Sequence, residues 1–152
     1  MKIKLDPNAT MPTRAHDADA GLDLYSMEEK TIQPGLTLYD VSRRYYVVGE
    51  HGETFDTGVH MAIPHGFFGK IESRSGLNVK NSVVSCGGVV DEGYTGSIKV
   101  KLYNLGTEPY TVHKGDKIAQ LIIQPYAAPK LELVDELDDT ERGDSGFGST
   151  GR

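Results

Sequence analysis

Residues 96–106 read GSIKVKLYNLG, and the fold class turns on them. Ile98, Val100 and Leu102 alternate with Lys99, Lys101 and Tyr103, the period of two that marks a half-buried strand. On either side, similar short pieces recur at KIKL (2–5), LDLYS (22–26), GVHMAI (58–63), GKIES (69–73), KIAQLIIQPY (117–126) and KLELV (130–134). The turn signals QPG (33–35), PHG (64–66) and HKGD (113–116) punctuate them. Only SGLNVKNS (75–82) reads as a helical turn or two. Many short strands divided by Gly and Pro predict an all-β barrel or double-sheet jelly roll. Residues 36–55, LTLYDVSRRYYVVGEHGETF, read as two strand-forming runs around the turn GEHG, an extended solvent-facing hairpin. The other reading of that span is a partner or ligand surface built on Arg43, Arg44, Tyr45 and Tyr46. Residues 132–141, ELVDELDDTE, turn acidic and read as a solvated linker to a glycine-rich tail.

The composition excludes several classes. A chain of 152 residues, 38% hydrophobic and 25% charged, fits one globular domain with a core of its own. Its apolar stretches are short and broken by Pro64, Gly66, Gln124 and Pro125, so no membrane span is expected. The opening MKIKLDPNAT lacks the apolar run of a signal peptide, which points to the cytoplasm. A single cysteine, Cys86, forms no intrachain disulfide and agrees with a reducing compartment. The five histidines do not combine with it at zinc-ligand spacing. A net charge of −6 argues against stable nucleic-acid binding, which rests on many phosphate contacts. A polyanionic ligand would need local cations, and Arg74 and Arg142 stand in the Ser- and Gly-rich settings that suit one.

Five stretches carry groups able to do chemistry. ESRSGLNVK offers the Arg74 guanidinium, the hydroxyls of Ser73 and Ser75 and the open backbone of Gly76 to phosphate oxygens; alone, it is also an ordinary turn. GGVVDEGYTGSIKV reads as a hairpin in which Gly87 and Gly88 allow close approach, Asp91 can act as a general base and Tyr94 can pack on a flat ligand or a sugar. The plainer alternative is a turn Asp and a half-buried Tyr. HDADAGLDLYS holds Asp17, Asp19 and Asp23, carboxylates able to hold Mg²⁺ directly or through water once substrate phosphates complete its shell. Gln120 interrupts an otherwise apolar strand and needs partners for its amide. The tail ERGDSGFGSTG supplies Arg142, Phe147, Ser149 and Thr150 among glycines. Those are the pieces needed to fold over a nucleotide, with the ring on the base and the Arg on terminal phosphates.

Taken in order, AGLDL, SRSGL, GGVVDEGYTG, GDKIAQL and RGDSGFGSTG resemble the five motifs of the trimeric dUTP pyrophosphatases, the dUTPases. FDTGVHMAIPHGFFGKIESRSGL between them is similar to that family too. The resemblance implies a jelly-roll-like distorted barrel of the dUTPase β-clip type, a homotrimer whose active sites are shared among subunits, and hydrolysis of dUTP to dUMP and pyrophosphate with Mg²⁺. It implies a core over residues 1–139, with 36–55 as a hairpin insertion, and a flexible arm over 140–152. Asp91 matches the carboxylate that activates water, and Tyr94 the ring that packs on deoxyribose and crowds out a 2′-hydroxyl. Gly88, Val89 and Val90 match the main chain that reads uracil, and Arg74, Ser75 and Gly76 match the phosphate-binding element. Asp23 and Gln120 match positions that hold the metal through water, Gln120 also facing the phosphates. In the arm, Phe147 and Gly148 match the lid over uracil, with Arg142, Ser149 and Thr150 on the γ-phosphate.

Two departures stand out. Residues 36–55 exceed the usual link by roughly a dozen residues, which leaves room for a protein partner there. Ser73 occupies a position where many relatives have Pro. Two other functions fit the same fold. A dCTP deaminase would need a catalytic Glu near the base, with Glu92 the candidate, although DEGYTG differs from the W-E-G pattern expected there. A non-catalytic binding module would have no use for Asp91.

Overall fold

Strand β13 (Lys117–Pro125), nine residues long, organises the larger sheet. Ile118, Ala119 and Leu121 are buried along it, within the cluster that residues of the second sheet also join. The structure is a computed structural model that describes residues 1–35, 37–39, 46–48, 52–86, 88–141 and 143. β2 (Gly21–Tyr25) pairs with one edge of β13 and β8 (Phe67–Glu72) with the other, and β10 (Val89–Val90) adds to β8, all antiparallel. The order is therefore β10-β8-β13-β2.

A second sheet, β6-β11-β9, centres on the 96–106 stretch. In β11 (Lys99–Asn104), Val100, Leu102 and Asn104 point inward and alternate with exposed or half-buried Lys99, Lys101 and Tyr103. β6 (Gly52–Asp56) and β9 (Val83–Ser85) flank it. Leu24, Ile71 and Leu121 from one sheet and Phe55, Val100 and Leu102 from the other belong to a single buried cluster. Three small pairs complete the pattern: β1 (Lys2–Leu5) with β7 (Val59–Ala62), β3 (Lys30–Ile32) with β12 (Tyr110–Val112), and β4 (Thr37–Tyr39) with β5 (Tyr46–Val48). Helix α1 (Ser75–Asn81) is the helical turn expected there, and it buries no residue. Ser82 ends it at φ 54°, its N–H bonding back to the Asn78 and Leu77 carbonyls.

Two sequence readings change. KLELV forms no strand: Leu131 is 96% and Leu133 100% exposed. Its alternation is that of a strand, but no described strand of the chain lies beside it to accept its hydrogen bonds. The two runs of 36–55 do not meet around GEHG either. β4 pairs with β5 instead, and β6 leaves to join β11. Residues 40–45 and 49–51, including Arg43, Arg44 and Tyr45, lie outside the described residues.

Asn104 is the polar keystone of the second sheet. Fully buried, it donates through Nδ2 to the carbonyls of Ile32 (3.1 Å) and Glu108 (2.7 Å) and accepts through Oδ1 from the Gly106 N–H (2.9 Å). Asn104→Ala leaves the carbonyl of buried Ile32 without its partner and frees the N–H of half-buried Gly106 and the carbonyl of exposed Glu108, and is expected to cost about 2 kcal/mol in urea unfolding. A loss of less than about 1 kcal/mol would show that water replaces the amide.

Candidate active site

One end of the larger sheet gathers charge. Asp23 on β2 and Gln120 on β13 are register partners, and Arg74 follows β8 at the entry to α1. The Arg74 Nε donates to Asp23 Oδ1 at 3.0 Å and the Lys117 ammonium to Asp23 Oδ2 at 2.7 Å. With a side chain only 13% exposed, Asp23 is neutralised by two cations where a lone carboxylate would be costly. The hydrogen bond from Lys117 to Asp23 holds the Lys117 ammonium above its ordinary range. The Gln120 amide donates to the Ser73 carbonyl, just past β8, at 3.1 Å, while its Oε1 lies over Gly21 of β2. A Cβ at Gly21 would stand 2.3 Å from Gln120 Oε1 and force that side chain to move. A cavity of about 310 Å³ opens here, lined by Asp19, Gly21, Asp23, Arg74, Ser75, Gly76 and Gln120 among others.

The opposite end of the sheet carries a second group. Among the described residues β10 pairs with β8 alone, so its outer edge offers the main-chain groups of Val89 to a ligand. Gly88 is at φ 138°, and a Cβ there would meet Ile71 Cδ1 at 2.7 Å, so glycine is required. The chain then turns at Asp91, which is exposed, and the Tyr94 N–H closes the turn on the Asp91 carbonyl at 3.0 Å. The Tyr94 hydroxyl donates to the Ser97 carbonyl at 2.9 Å, fixing a ring that is 45% exposed. Glu92 accepts from His65 Nδ1 (3.1 Å) and the Gly66 N–H (2.8 Å). The His65 bond first, then the Gly66 bond, holds its carboxyl below the usual range.

These two groups do not meet within one chain. Val90 stands opposite Gly69 and Gln120 opposite Glu72. The three residue steps along β8 from Gly69 to Glu72 span about 10 Å, and Asp91 and Arg74 each lie beyond them.

The comparisons with known proteins bear on what the two groups would form. The dUTPase family model matches residues 34–151. The chain belongs to the dUTPase family. It is 45% identical over 157 residues to the deoxyuridine 5′-triphosphate nucleotidohydrolase of Mycolicibacterium gilvum, a match that covers 98% of this chain and 92% of that protein. Among solved structures, a mutant of the Staphylococcus bacteriophage 80alpha dUTPase with dUpNHpp gives a TM-score of 0.83 at 29% identity, over 99% of this chain and 98% of that one. A mutant dUTPase from phage phi11 of S. aureus, described for its coordination of a structural Mg(II) ion, gives 0.75 at 27% identity, over 91% and 98%. The all-β, jelly-roll-like architecture is thus the family's own.

The structure brings Asp23, Arg74, Ser75, Gly76 and Gln120 to one cavity. It sets Gly88, Val89, Val90, Asp91 and Tyr94 on one strand edge and its turn. Gly87, Arg142, Phe147, Gly148, Ser149 and Thr150 lie outside the described residues. Lys117, the second cation on Asp23, was missed by the sequence reading. Its only signal is its place in GDKIAQL, three residues before Gln120. The three-carboxylate reading does not hold as a cluster: Asp19 accepts from the His16 N–H at 2.9 Å and Asp23 is taken by the two cations. No group of three metal-binding side chains occurs among the described residues. The Asp23 carboxylate, whose oxygens can each accept a further hydrogen bond beside the two cations, and Gln120 Oε1 are hard oxygens at the cavity, and they fit Mg²⁺ held through water with substrate phosphates completing the shell.

The turn bearing Asp91 and Tyr94 is also fastened from the N-terminal side. His60 Nδ1 donates to the Thr95 carbonyl at 2.8 Å, and Nε2 faces Asp6 Oδ1 at 3.1 Å. Two acceptors on one ring favour the imidazolium, and the Thr95 carbonyl first, then Asp6, raises the His60 pKa, with Lys4 opposing. A raised histidine stabilises the fold fully below its ordinary value of about 6.5, and that contribution fades as pH rises through the folded value. His113, raised by Glu29, has the same sign. Wild type is therefore expected to lose melting temperature above about pH 6.5, and His60→Gln to lose less over the same interval. Parallel curves for the two proteins would remove His60 from this role.

Proposed function

We propose that the chain hydrolyses dUTP to dUMP and pyrophosphate, which keeps uracil out of DNA and supplies dUMP for thymidylate synthesis. The observation that carries this reading is the agreement of the motif residues with a family match over residues 34–151. Asp91 takes the proton from the attacking water. Arg74, with the hydroxyl of Ser75 and the backbone of Gly76, neutralises and orients the phosphate oxygens as charge grows on the leaving pyrophosphate. Mg²⁺, when bound with the substrate, supplies further charge neutralisation on those oxygens. The open edge at Gly88, Val89 and Val90 reads the uracil by main-chain hydrogen bonds, and Tyr94 packs on deoxyribose.

Two halves at opposite ends of one sheet become a site when subunits pair, which supports a homotrimer with shared sites. The exposure of Val89 (66%), Leu131 and Leu133 on each chain agrees with such an assembly. Residues 140–152 would act as the arm, Arg142, Ser149 and Thr150 meeting the γ-phosphate while Phe147 and Gly148 cover the base. The β4–β5 pair joins neither large sheet, which suits an inserted hairpin able to meet a protein partner, although residues 52–55 of the 36–55 span belong to β6. No described helix is long and apolar enough to cross a membrane, and the reading places the enzyme in the cytoplasm. The deaminase alternative loses support because Glu92 is engaged with His65 and Gly66.

The test is pyrophosphate release from dUTP, dCTP, dTTP and UTP, with and without Mg²⁺, with ammonia followed in the dCTP sample. Release from dUTP alone, dependent on Mg²⁺, is expected. Ammonia from dCTP would move the chain to the deaminases, and silence on all four would favour a binding module.

A further inference from the structure

Glu92 adjoins the proposed base but takes no part in the proposed reaction. Its side chain turns back across the sheet end: Oε2 accepts from the Gly66 N–H at 2.8 Å and Oε1 from His65 at 3.1 Å. Gly66, at φ 80°, lies between β7 and β8, and its carbonyl accepts from the Tyr126 N–H at 3.0 Å. Tyr126 in turn stands edge-on to Phe68, with ring centroids 6.3 Å apart. The Glu92 carboxylate is therefore fastened to a turn that β8 and the end of β13 hold in place.

Asp91 itself is held from two directions. Behind it, Val90 is buried and paired with Gly69. Ahead of it, the turn is held by the Glu92 tether and the Tyr94 N–H to Asp91 carbonyl bond, and further along by the bonds to the Thr95 and Ser97 carbonyls; of these the Glu92 tether is the one that acts on the residue next to Asp91. We propose that Glu92 is a positioning residue for the dUTPase reaction, its bond to the Gly66 N–H setting the placement of Asp91 and Tyr94 together. The inference rests on the reading in which Asp91 activates water and Tyr94 packs on deoxyribose. A base and a sugar platform on one turn should loosen together, so the tether governs both turnover and the preference for dUTP over UTP.

Reach and charge can be separated by three variants. Glu92→Gln keeps an oxygen at the right distance to accept from Gly66 without the charge. Glu92→Asp keeps the charge but is one methylene short. Glu92→Ala has neither. Each is assayed for kcat and KM with dUTP and UTP, with folding checked by thermal melting and assembly by size-exclusion chromatography. Glu92→Asp and Glu92→Ala are expected to lose about tenfold or more in kcat, with a narrowed dUTP-to-UTP preference, and Glu92→Gln to stay within about threefold of wild type. If Glu92→Ala fails to fold, the Asp and Gln variants still decide the matter. An active Asp variant, an impaired Gln variant, or kcat lost with the sugar preference unchanged would overturn the proposal. The underlying reading fails differently, through a wild-type protein that leaves dUTP intact or an Asp91→Asn variant that remains fully active.

Discussion

Asp91→Asn is expected to lower dUTP turnover about a hundredfold or more while leaving nucleotide affinity nearly intact, because the amide matches the carboxylate in shape but cannot take the proton from water. The local structure makes this a clean substitution. Asp91 is exposed at the exit of β10, and the bond that closes its turn uses its backbone carbonyl, not its side chain. The fold should therefore survive, and the melting temperature should stay within a few degrees of wild type. Nor can the neighbouring carboxylate stand in, since Glu92 is committed to His65 and Gly66. Steady-state kinetics with dUTP, and calorimetric titration with a non-hydrolysable analogue, separate turnover from binding. Near-normal turnover would take Asp91 out of the role of base. Lost affinity with kcat retained would make it a binding residue instead.

How far the sequence revealed this site depends on whether the signal was local. The alternation at Ile98, Val100 and Leu102 is a property of the chain itself, and β11 displays it with Val100 and Leu102 buried. The short helix at SGLNVKNS is local as well, ended by Ser82 in the left-handed region. KLELV has the same alternation but lacks a described neighbour to pair with, and a strand is made by its neighbour as much as by its residues. The β4–β5 pairing escaped notice for a related reason, since register depends on turn geometry that the residues of 36–55 do not spell out. Gly88 and Gly21 were legible only as glycines. That each sits where a Cβ would collide, with Ile71 and with Gln120, comes from residues distant in the chain.

The charged cluster was half legible. Asp23, Arg74 and Gln120 come from three motifs, and the β2-β13-β8 order of the sheet draws them together. Lys117 escaped because nothing in one lysine at the start of a strand distinguishes an ion-paired ammonium from a solvated one. Its role appears only when Asp23, across the β13–β2 ladder, is found between it and Arg74. For Asp17 and Asp19 the sequence does not separate a metal ligand from a plain polar loop, because an Asp in a loop more often serves its own backbone. Asp19 does so through the His16 N–H.

Arg74→Ala is expected to lower kcat/KM for dUTP about a hundredfold or more, comparable to the removal of one preorganised donor from a developing anion. Arg74→Lys should recover only a small part of that loss. The guanidinium has two tasks in this structure. Nε is committed to Asp23 at 3.0 Å, which fixes the plane of the group at the cavity that Ser75 and Gly76 also line. Nη1 also reaches the Lys117 carbonyl at 3.4 Å, which leaves Nη2 to face phosphate oxygens while those bonds hold. An ammonium is a point charge without the fork, so a lysine bound to Asp23 is drawn away from the phosphates. Stability separates this from a folding defect, because Asp23 keeps Lys117 at 2.7 Å after Arg74 is removed and is not left as an unpaired carboxylate. The Ala variant should therefore melt close to wild type while its activity collapses. Recovery by Lys to near wild-type kcat/KM would show that charge alone is needed and that the Asp23 contact does not aim the group. A large drop in melting temperature with modest kinetic loss would make the Arg74–Asp23 pair a structural bridge between β8 and β2.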